Sequence, residues 1–293
     1  MSLALGSPAR SAPKSTPRLA VSIALSIALA TLAVVFLTSV GLSGCGPDET
    51  STTLRPTVLS VEEAQRAGAG GATKVRGVLV ARDNSAVLAS ALLESYPPQA
   101  GGATLPLEGL DLSALVGLSS TAPDSGFALV TWSDYPLVLE GVLKDGKLQV
   151  QGYPPVTQVE ADSVRVRFSP ASAPVFSGDT VWWAFEVTNT GAQALELVFS
   201  SGQRGEVVVS QGGAEKYRWS AGKAFTEAIE SVRLEPGRAW GVVLNDVLPL
   251  ESGEYEIAAR VTASVGPAGD TNQPGQQAPG AALPELKTSL RVW

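Results

Sequence analysis

Few residues in this chain could carry chemistry, and the most conspicuous is Cys45, the sole cysteine. It follows Leu42-Ser43-Gly44 and precedes Gly46-Pro47, at the end of an apolar run from Leu19 to Gly41. Arg10, Lys14 and Arg18 lead into that run. A basic lead, an apolar stretch and small residues before a cut describe an export signal. Leu19–Gly44 is also long enough to cross a bilayer as a helix, so an uncleaved signal anchor is the alternative. Elsewhere the sequence narrows the chemistry. There is no histidine, which removes Ser-His-Asp and Cys-His catalysis, His-ligated zinc and imidazole pH switching. A single thiol forms no disulfide within the chain. Gly68-x-Gly70-Gly71 leads into no helix and is not a phosphate loop, and no acidic run has the spacing of a calcium loop. The 28 acidic residues leave a carboxylate pair for glycoside hydrolysis open. The expectation is a protein that is not an enzyme and needs no cofactor or metal.

Leu42-Ser43-Gly44-Cys45 resembles a bacterial lipobox. The resemblance implies that the Cys45 thiol receives a diacylglyceryl group and becomes the mature amino terminus. Two or more acyl chains, at about 0.8 kcal/mol per buried methylene, hold a protein stably on a membrane. Residues 1–44 would then be the signal peptide, and the mature protein would sit lipid-anchored on the cell membrane, facing out of the cytoplasm. Removing the three positive charges of the signal takes the formal charge from −7 to −10. An acidic surface disfavours nucleic acid and anionic lipid as partners through bulk charge.

The elements that follow must form two domains, both mainly β. Residues 45–57 are poor in apolar groups and read as a flexible tether. Residues 58–153 open with capping-box spacing at Ser60-Val-Glu-Glu63, predicting a short helix through Arg66. Strands are expected at Thr73–Arg82, Ala86–Leu92 and Ala103–Leu107, with one more at Phe127–Trp132. Asp111–Leu118 predicts a short helix, and Asp145-Gly146 turns a hairpin between 136–144 and 147–152. This order matches a small OB-like barrel. Between residues 55 and 155 it carries seven basic and ten acidic residues. Trp132, Tyr135 and Tyr96 either fill it or line a binding face.

A linker is expected over 154–161, and residues 162–293 then alternate as strand after strand. Val181, Trp183, Phe185 and Val187 fall on one face of Thr180–Asn189 at period two. Leu195, Leu197 and Phe199 do the same in the next strand. Short strands at this spacing, with a tyrosine-corner pattern at Leu250-x-x-Gly253-x-Tyr255, predict an immunoglobulin-like β-sandwich. Gly266–Pro284, rich in Gly, Pro, Gln and Ala, is expected to be a mobile loop.

Residues 185–263 resemble the intracellular proteinase inhibitor (BsuPI-like) family. The residues that carry the likeness are Phe185-Glu-Val-Thr-Asn-Thr-Gly191, Phe199-Ser-Ser-Gly-Gln-Arg204 and Arg218-Trp-Ser-Ala-Gly-Lys-Ala-Phe225. Leu234-x-Pro236-Gly237 and the Tyr255 motif complete it. The sequence departs from the pattern at Gly205-Glu206, Glu227 and Asn245-Asp246. The resemblance implies a sandwich fold and a protein-binding role, with a secreted or envelope protein such as a protease as partner. Candidate contact residues are Gln203, Arg204, Arg218, Trp219, Lys223 and Phe225, on neighbouring end loops. The alternative is packing, with Trp219 plugging one end of the sandwich and Arg204 left exposed. An envelope scaffold or adhesion module, or carbohydrate binding through the barrel, are the rival functions.

Overall fold

The computed structural model describes residues 55–83, 85–122, 125–268 and 280–293. Cys45, the signal and most of the tether lie outside them.

The first half folds as a small barrel from β1 (Val58–Ser60), α1 (Val61–Ala67), β2 (Ala72–Arg82), β3 (Ser85–Leu93) and β4 (Gln99–Glu108). A single 3-10 turn at Leu112–Ala114 follows, then β5 (Ser119–Ser120), β6 (Val130–Trp132), β7 (Leu137–Lys144) and β8 (Lys147–Gly152). Strand β2 pairs with both β3 and β7, β3 with β4, β4 with β8 and β8 with β7. The five strands therefore close a ring. Closure leaves the interior to apolar side chains, and Val75, Leu79, Leu88, Leu105, Leu137, Leu139 and Leu148 fill it. Helix α1 forms because Ser60 and Glu63 satisfy each other's backbone N–H groups, at 3.2 and 2.8 Å. It docks where Gly77 leaves room, since a Cβ there would stand 2.8 Å from Val61 Cγ2.

The predicted helix at Asp111–Leu118 is only the one turn at Leu112–Ala114. Asp111 Oδ1 caps it by accepting from the Ser113 N–H at 2.9 Å. Leu115 and Val116 then leave the helical path to pack into the barrel core. Tertiary burial overrides the local apolar spacing.

The second half is a β-sandwich of β9 (Thr157–Ala161), β10 (Val164–Pro170), β11 (Thr180–Asn189), β12 (Leu195–Phe199) and β13 (Gly205–Gln211). It continues with β14 (Ala214–Arg218), β15 (Glu230–Leu234), β16 (Ala239–Val247), β17 (Gly253–Val261), β18 (Ser264–Pro267), β19 (Ala281–Ala282) and β20 (Leu286–Val292). The sheets run β16-β11-β10-β9, β14-β13-β17-β20 and β15-β12-β18-β19. Between them Trp183, Phe185, Phe168, Phe199, Val207 and Ile257 form one buried core. Phe168 packs flat on Trp183, with ring centroids 6.0 Å apart. The tyrosine corner is present, with Tyr255 Oη donating to the Glu251 carbonyl at 3.0 Å.

Two boundaries differ from the sequence expectation. Residues 157–161 are not linker but strand β9, paired with β10 from Ala161↔Val164 to Thr157↔Phe168. Prolines 154 and 155 end β8 without preventing a new edge strand, a position that tolerates nearby proline. The ends of the expected mobile loop are also paired, Ser264↔Ala282 and Val265↔Ala281. Its centre, residues 269–279, lies outside the described residues.

The barrel and the sandwich share a core. Ala171 and Ala184 of the sandwich belong to the barrel's buried cluster, and Tyr135 stacks on Trp182 with centroids 6.3 Å apart. Gly117, at φ +74°, approaches so closely that a Cβ would stand 3.1 Å from both Ala184 Cβ and Val243 Cγ2. Arg167 ties the junction by donating to Glu186 Oε1 at 3.1 Å and to the Ser113 carbonyl at 2.7 Å. Ala184→Leu should therefore overpack this seam and cost about 1–3 kcal/mol, read as a lower urea midpoint at unchanged slope. An unchanged midpoint would show that the two halves are not held together there.

Candidate functional site

Two of the segments that carried the likeness, Phe199–Arg204 and Arg218–Phe225, meet at one end of the sandwich, and a buried carboxylate holds them there. Glu206, in β13, is 5% exposed. Its Oε1 accepts from the backbone N–H of Val207 at 3.1 Å and of Ser220 at 3.2 Å. Its Oε2 accepts from the Ser220 hydroxyl and from Gln203 Nε2 at 3.3 Å, with Arg218 Nη1 at 3.6 Å. A buried carboxylate is tolerable when its lone pairs are filled in this way. One side chain thus joins the 200–204 segment to the loop that follows β14.

Residues 200–204 are a sheet-switching crossover rather than a free end loop. The Gln203 carbonyl accepts from Thr262 Oγ1 at 2.5 Å, and the Arg204 carbonyl from the Thr262 N–H at 3.2 Å. Gln203 Nε2 also donates to the Gly205 carbonyl at 3.1 Å. Arg204, expected to be exposed, lies over the Phe199 ring at 4.4 Å. It donates to the Ser201 carbonyl at 3.3 Å and pairs with Glu230. Its planar cation covers one side of the Phe199 ring, which also packs on Trp240 with centroids 5.1 Å apart. Gly202 is required by close approach, since a Cβ would stand 2.6 Å from Thr226 Oγ1.

The loop between β14 and β15, residues 219–229, is the part that reaches solvent. Its base is pinned. Trp219 donates its indole N–H to the Asn245 carbonyl at 3.1 Å and packs on Phe225, centroids 5.7 Å apart. Lys223 Nζ lies 5.1 Å over the Trp219 ring and 2.7 Å from Asp246 Oδ2. Trp219 is therefore half-buried: neither a full plug nor a free contact, but the platform on which the loop rests. Arg218, gripped by Glu215 at 3.0 and 2.5 Å, braces the strand before it. The Gly202 N–H donates to the Thr226 carbonyl at 2.8 Å and closes the loop against the crossover. Gly222, at φ +74°, makes the turn possible.

Electrostatics fix this base further. Asp246 loses solvation, which alone would raise its pKa. Hydrogen bonds from Lys223 and Tyr217, with the Lys223 charge, outweigh that loss and hold it below the usual aspartate range. Tyr217 donates its hydroxyl to Asp246 at 3.1 Å. Burial, and then the Asp246 charge, push the Tyr217 hydroxyl well above the ordinary tyrosine range. It stays a donor throughout the physiological range.

Beyond Phe225 the side chains turn outward, and Ile229 is 75% exposed, the highest value among large hydrophobics of the described residues. The structure thus brings all six candidate residues to one end, where all serve as framework: Lys223 and Phe225 pin the loop base as Gln203, Arg204, Arg218 and Trp219 do. In the sequence Glu206 and Asp246 stood out only as departures from the family pattern, and Ile229 not at all. A lone acidic residue directly before the apolar run Val207-Val208-Val209 was the available signal for the first.

Residues 170–265 match the model of the BsuPI family, the intracellular proteinase inhibitor. The match spans about a third of the 293 residues and takes in the crossover, Glu206 and the whole 219–229 loop. No curated protein matches the chain. Among solved structures, the CARDB domain of a Pyrococcus furiosus protein aligns at 16% identity, covering 48% of this chain and 90% of that one, with a TM-score of 0.23. A β-glucosidase of Erythrobacter marinus aligns at 16% identity over 50% of this chain and 17% of its own, TM-score 0.22. β-Glucosidase 3B of Thermotoga neapolitana aligns at 18% identity over 48% and 17%, TM-score 0.20. Scores of this size assign neither a shared fold nor an activity.

Because Glu206 joins both loops of the BsuPI-like domain, Glu206→Ala should strand several buried donors at once. The expected cost is about 1–3 kcal/mol in a denaturant melt, with Glu206→Gln recovering part of it. A variant as stable as the parent would mean that the loops hold themselves.

Proposed function

We propose that this is a membrane-anchored, extracytoplasmic lipoprotein whose BsuPI-like domain binds a protein partner as a proteinase inhibitor does, without being an enzyme itself. The binding surface is the 219–229 loop, with Ala224, Glu227, Ala228 and Ile229 outward. The observation that carries the reading is the set of contacts that hold the base of that loop within the segment matched to an inhibitor family. Its base is fixed by Glu206, Asp246 and the Trp219–Phe225 stack, so little conformational freedom is left to lose on binding. An exposed isoleucine on such a support gives a partner an apolar anchor to bury.

The lipobox-like sequence supports the anchor, and the partner would then be a secreted or envelope protease outside the cytoplasm. The barrel supports an OB-like reading, through its five-stranded ring and the helix docked against it. The barrel is then a base for the inhibitor-like domain, fused to it through the shared core.

The test is titration of the full-length protein against secreted endopeptidases of each catalytic class. At least one should lose activity with a Kd of about 1 μM or tighter. Ile229→Asp should weaken that inhibition at least about tenfold while leaving the melting temperature unchanged. Absence of inhibition across the panel, or an equally potent Ile229→Asp, would overturn the reading. In the expression host, Cys45→Ala should abolish labelling by a lipid precursor and leave the unprocessed chain in the membrane. Normal processing and labelling of that variant would remove the anchor.

A further inference from the structure

Of the eight large hydrophobic side chains exposed among the described residues, four are on the barrel's β3–β4 hairpin tip (Leu93, Tyr96) and the chain entering β6 (Phe127, Leu129). Their exposures are 52%, 58%, 52% and 66%. Tyr96 and Phe127 meet in one patch, while Leu93 lies on the other face of the hairpin, since its neighbour Leu92 packs toward Trp132. The Tyr96 ring stands edge-on to Phe127, centroids 5.5 Å apart, and edge-on to Trp132 at 6.3 Å. Trp132, itself 7% exposed, is the floor, backed by Val80 and Val130. Asp134 accepts its indole N–H at 2.6 Å and the Ser119 hydroxyl at 2.7 Å, which fixes the ring. A Cβ on Gly101 would meet Leu93 Cδ2 at 2.8 Å, so Leu93 is laid across β4 by the absence of a side chain there.

An apolar cluster on two neighbouring tips, with a rigid floor, should be covered in the working protein. Two observations indicate by what. No lysine or arginine occurs between Arg82 and Lys144, so the patch carries no cation to recruit an anionic partner. The chain that leaves the described structure at Arg55 reaches Cys45 after ten residues, and ten residues span at most about 33–36 Å. With Cys45 acylated, Arg55, where the folded body begins, is confined within that distance of a bilayer. Tyrosine beside phenylalanine is the composition that settles at the membrane–water interface.

We infer that the Tyr96–Phe127 patch over Trp132 rests in the interfacial layer of the membrane that holds the lipid anchor, giving the tethered body a fixed orientation. The inference rests on the lipoprotein reading of Cys45. Contact with zwitterionic lipid through the patch needs no basic residue, and a surface bearing Glu94 gains nothing from anionic headgroups.

The experiment uses the full-length protein purified from its expressing membrane and reconstituted in phosphatidylcholine vesicles. An acylated Cys45 takes up no thiol reagent, so Phe127→Cys carries a single environment-sensitive fluorophore. Lys287→Cys, at a site whose side chain is 79% exposed on the sandwich, is the control. The Phe127 probe should shift to the blue and lose emission when nitroxide lipids are included, and the Lys287 probe should do neither. Tyr96→Cys repeats the measurement should Phe127→Cys misfold. If the protein floats with vesicles while the patch probe stays as wet as the control, the inference fails and the anchor stands. If wild-type protein takes up thiol reagent at Cys45, the anchor reading fails, and this inference with it.

Discussion

The structure depends on one strand being buried on both faces. In β11, Val181, Trp183, Phe185 and Val187 point into the sandwich core, while Trp182 and Ala184 point into the barrel core. A strand has two faces because successive side chains alternate. Here each face belongs to a different half of the molecule. Large residues fill the sandwich side, and Ala184 on the other allows Gly117 to approach to contact distance. Neither half can shift without disturbing the other. With no disulfide available from a single cysteine, this shared packing supplies the cohesion that a cross-link would otherwise add.

The far end of the sandwich is organised on a different principle. There the sheet switches at 200–204 and 262–263, leaving backbone groups short of partners. Polar side chains complete it: Thr262 serves the Gln203 and Arg204 carbonyls, Arg204 covers Phe199, and Glu206 gathers Val207, Ser220, Gln203 and Arg218. Each bond is modest by itself, but a network with every lone pair engaged fixes a geometry that apolar packing would leave loose. The consequence for function is a loop that is exposed and yet held. Its base is structural, and its tip is available to a partner.

The two exposed apolar features, Ile229 on the sandwich and the Tyr96 patch on the barrel, lie on different halves. The shared core around β11 fixes where one stands relative to the other.

Much of this was legible in the amino-acid sequence. Period-two alternation determined β11 and β12, because a half-buried strand must alternate, and β2 was expected to within a residue. The capping box at Ser60–Glu63, the Asp145-Gly146 turn and the tyrosine corner at Tyr255 are local chemistry, readable from neighbours alone. So was the absence of histidine, which removed whole classes of catalysis. What only the tertiary structure decided involves residues distant in the chain. The helix at Asp111–Leu118 shrank to one turn because Leu115 and Val116 are claimed by the barrel core. Residues 157–161 became a strand because β10 offered an unpaired edge. Glu206 stood only as a departure from the family pattern until the crossover and the β14–β15 loop arrived around it. Arg204 turned inward to cover one side of the Phe199 ring. In each case the deciding partner lies elsewhere in the chain, and a single sequence fixes local periodicity but not which distant group will fill an exposed face or an unpaired edge.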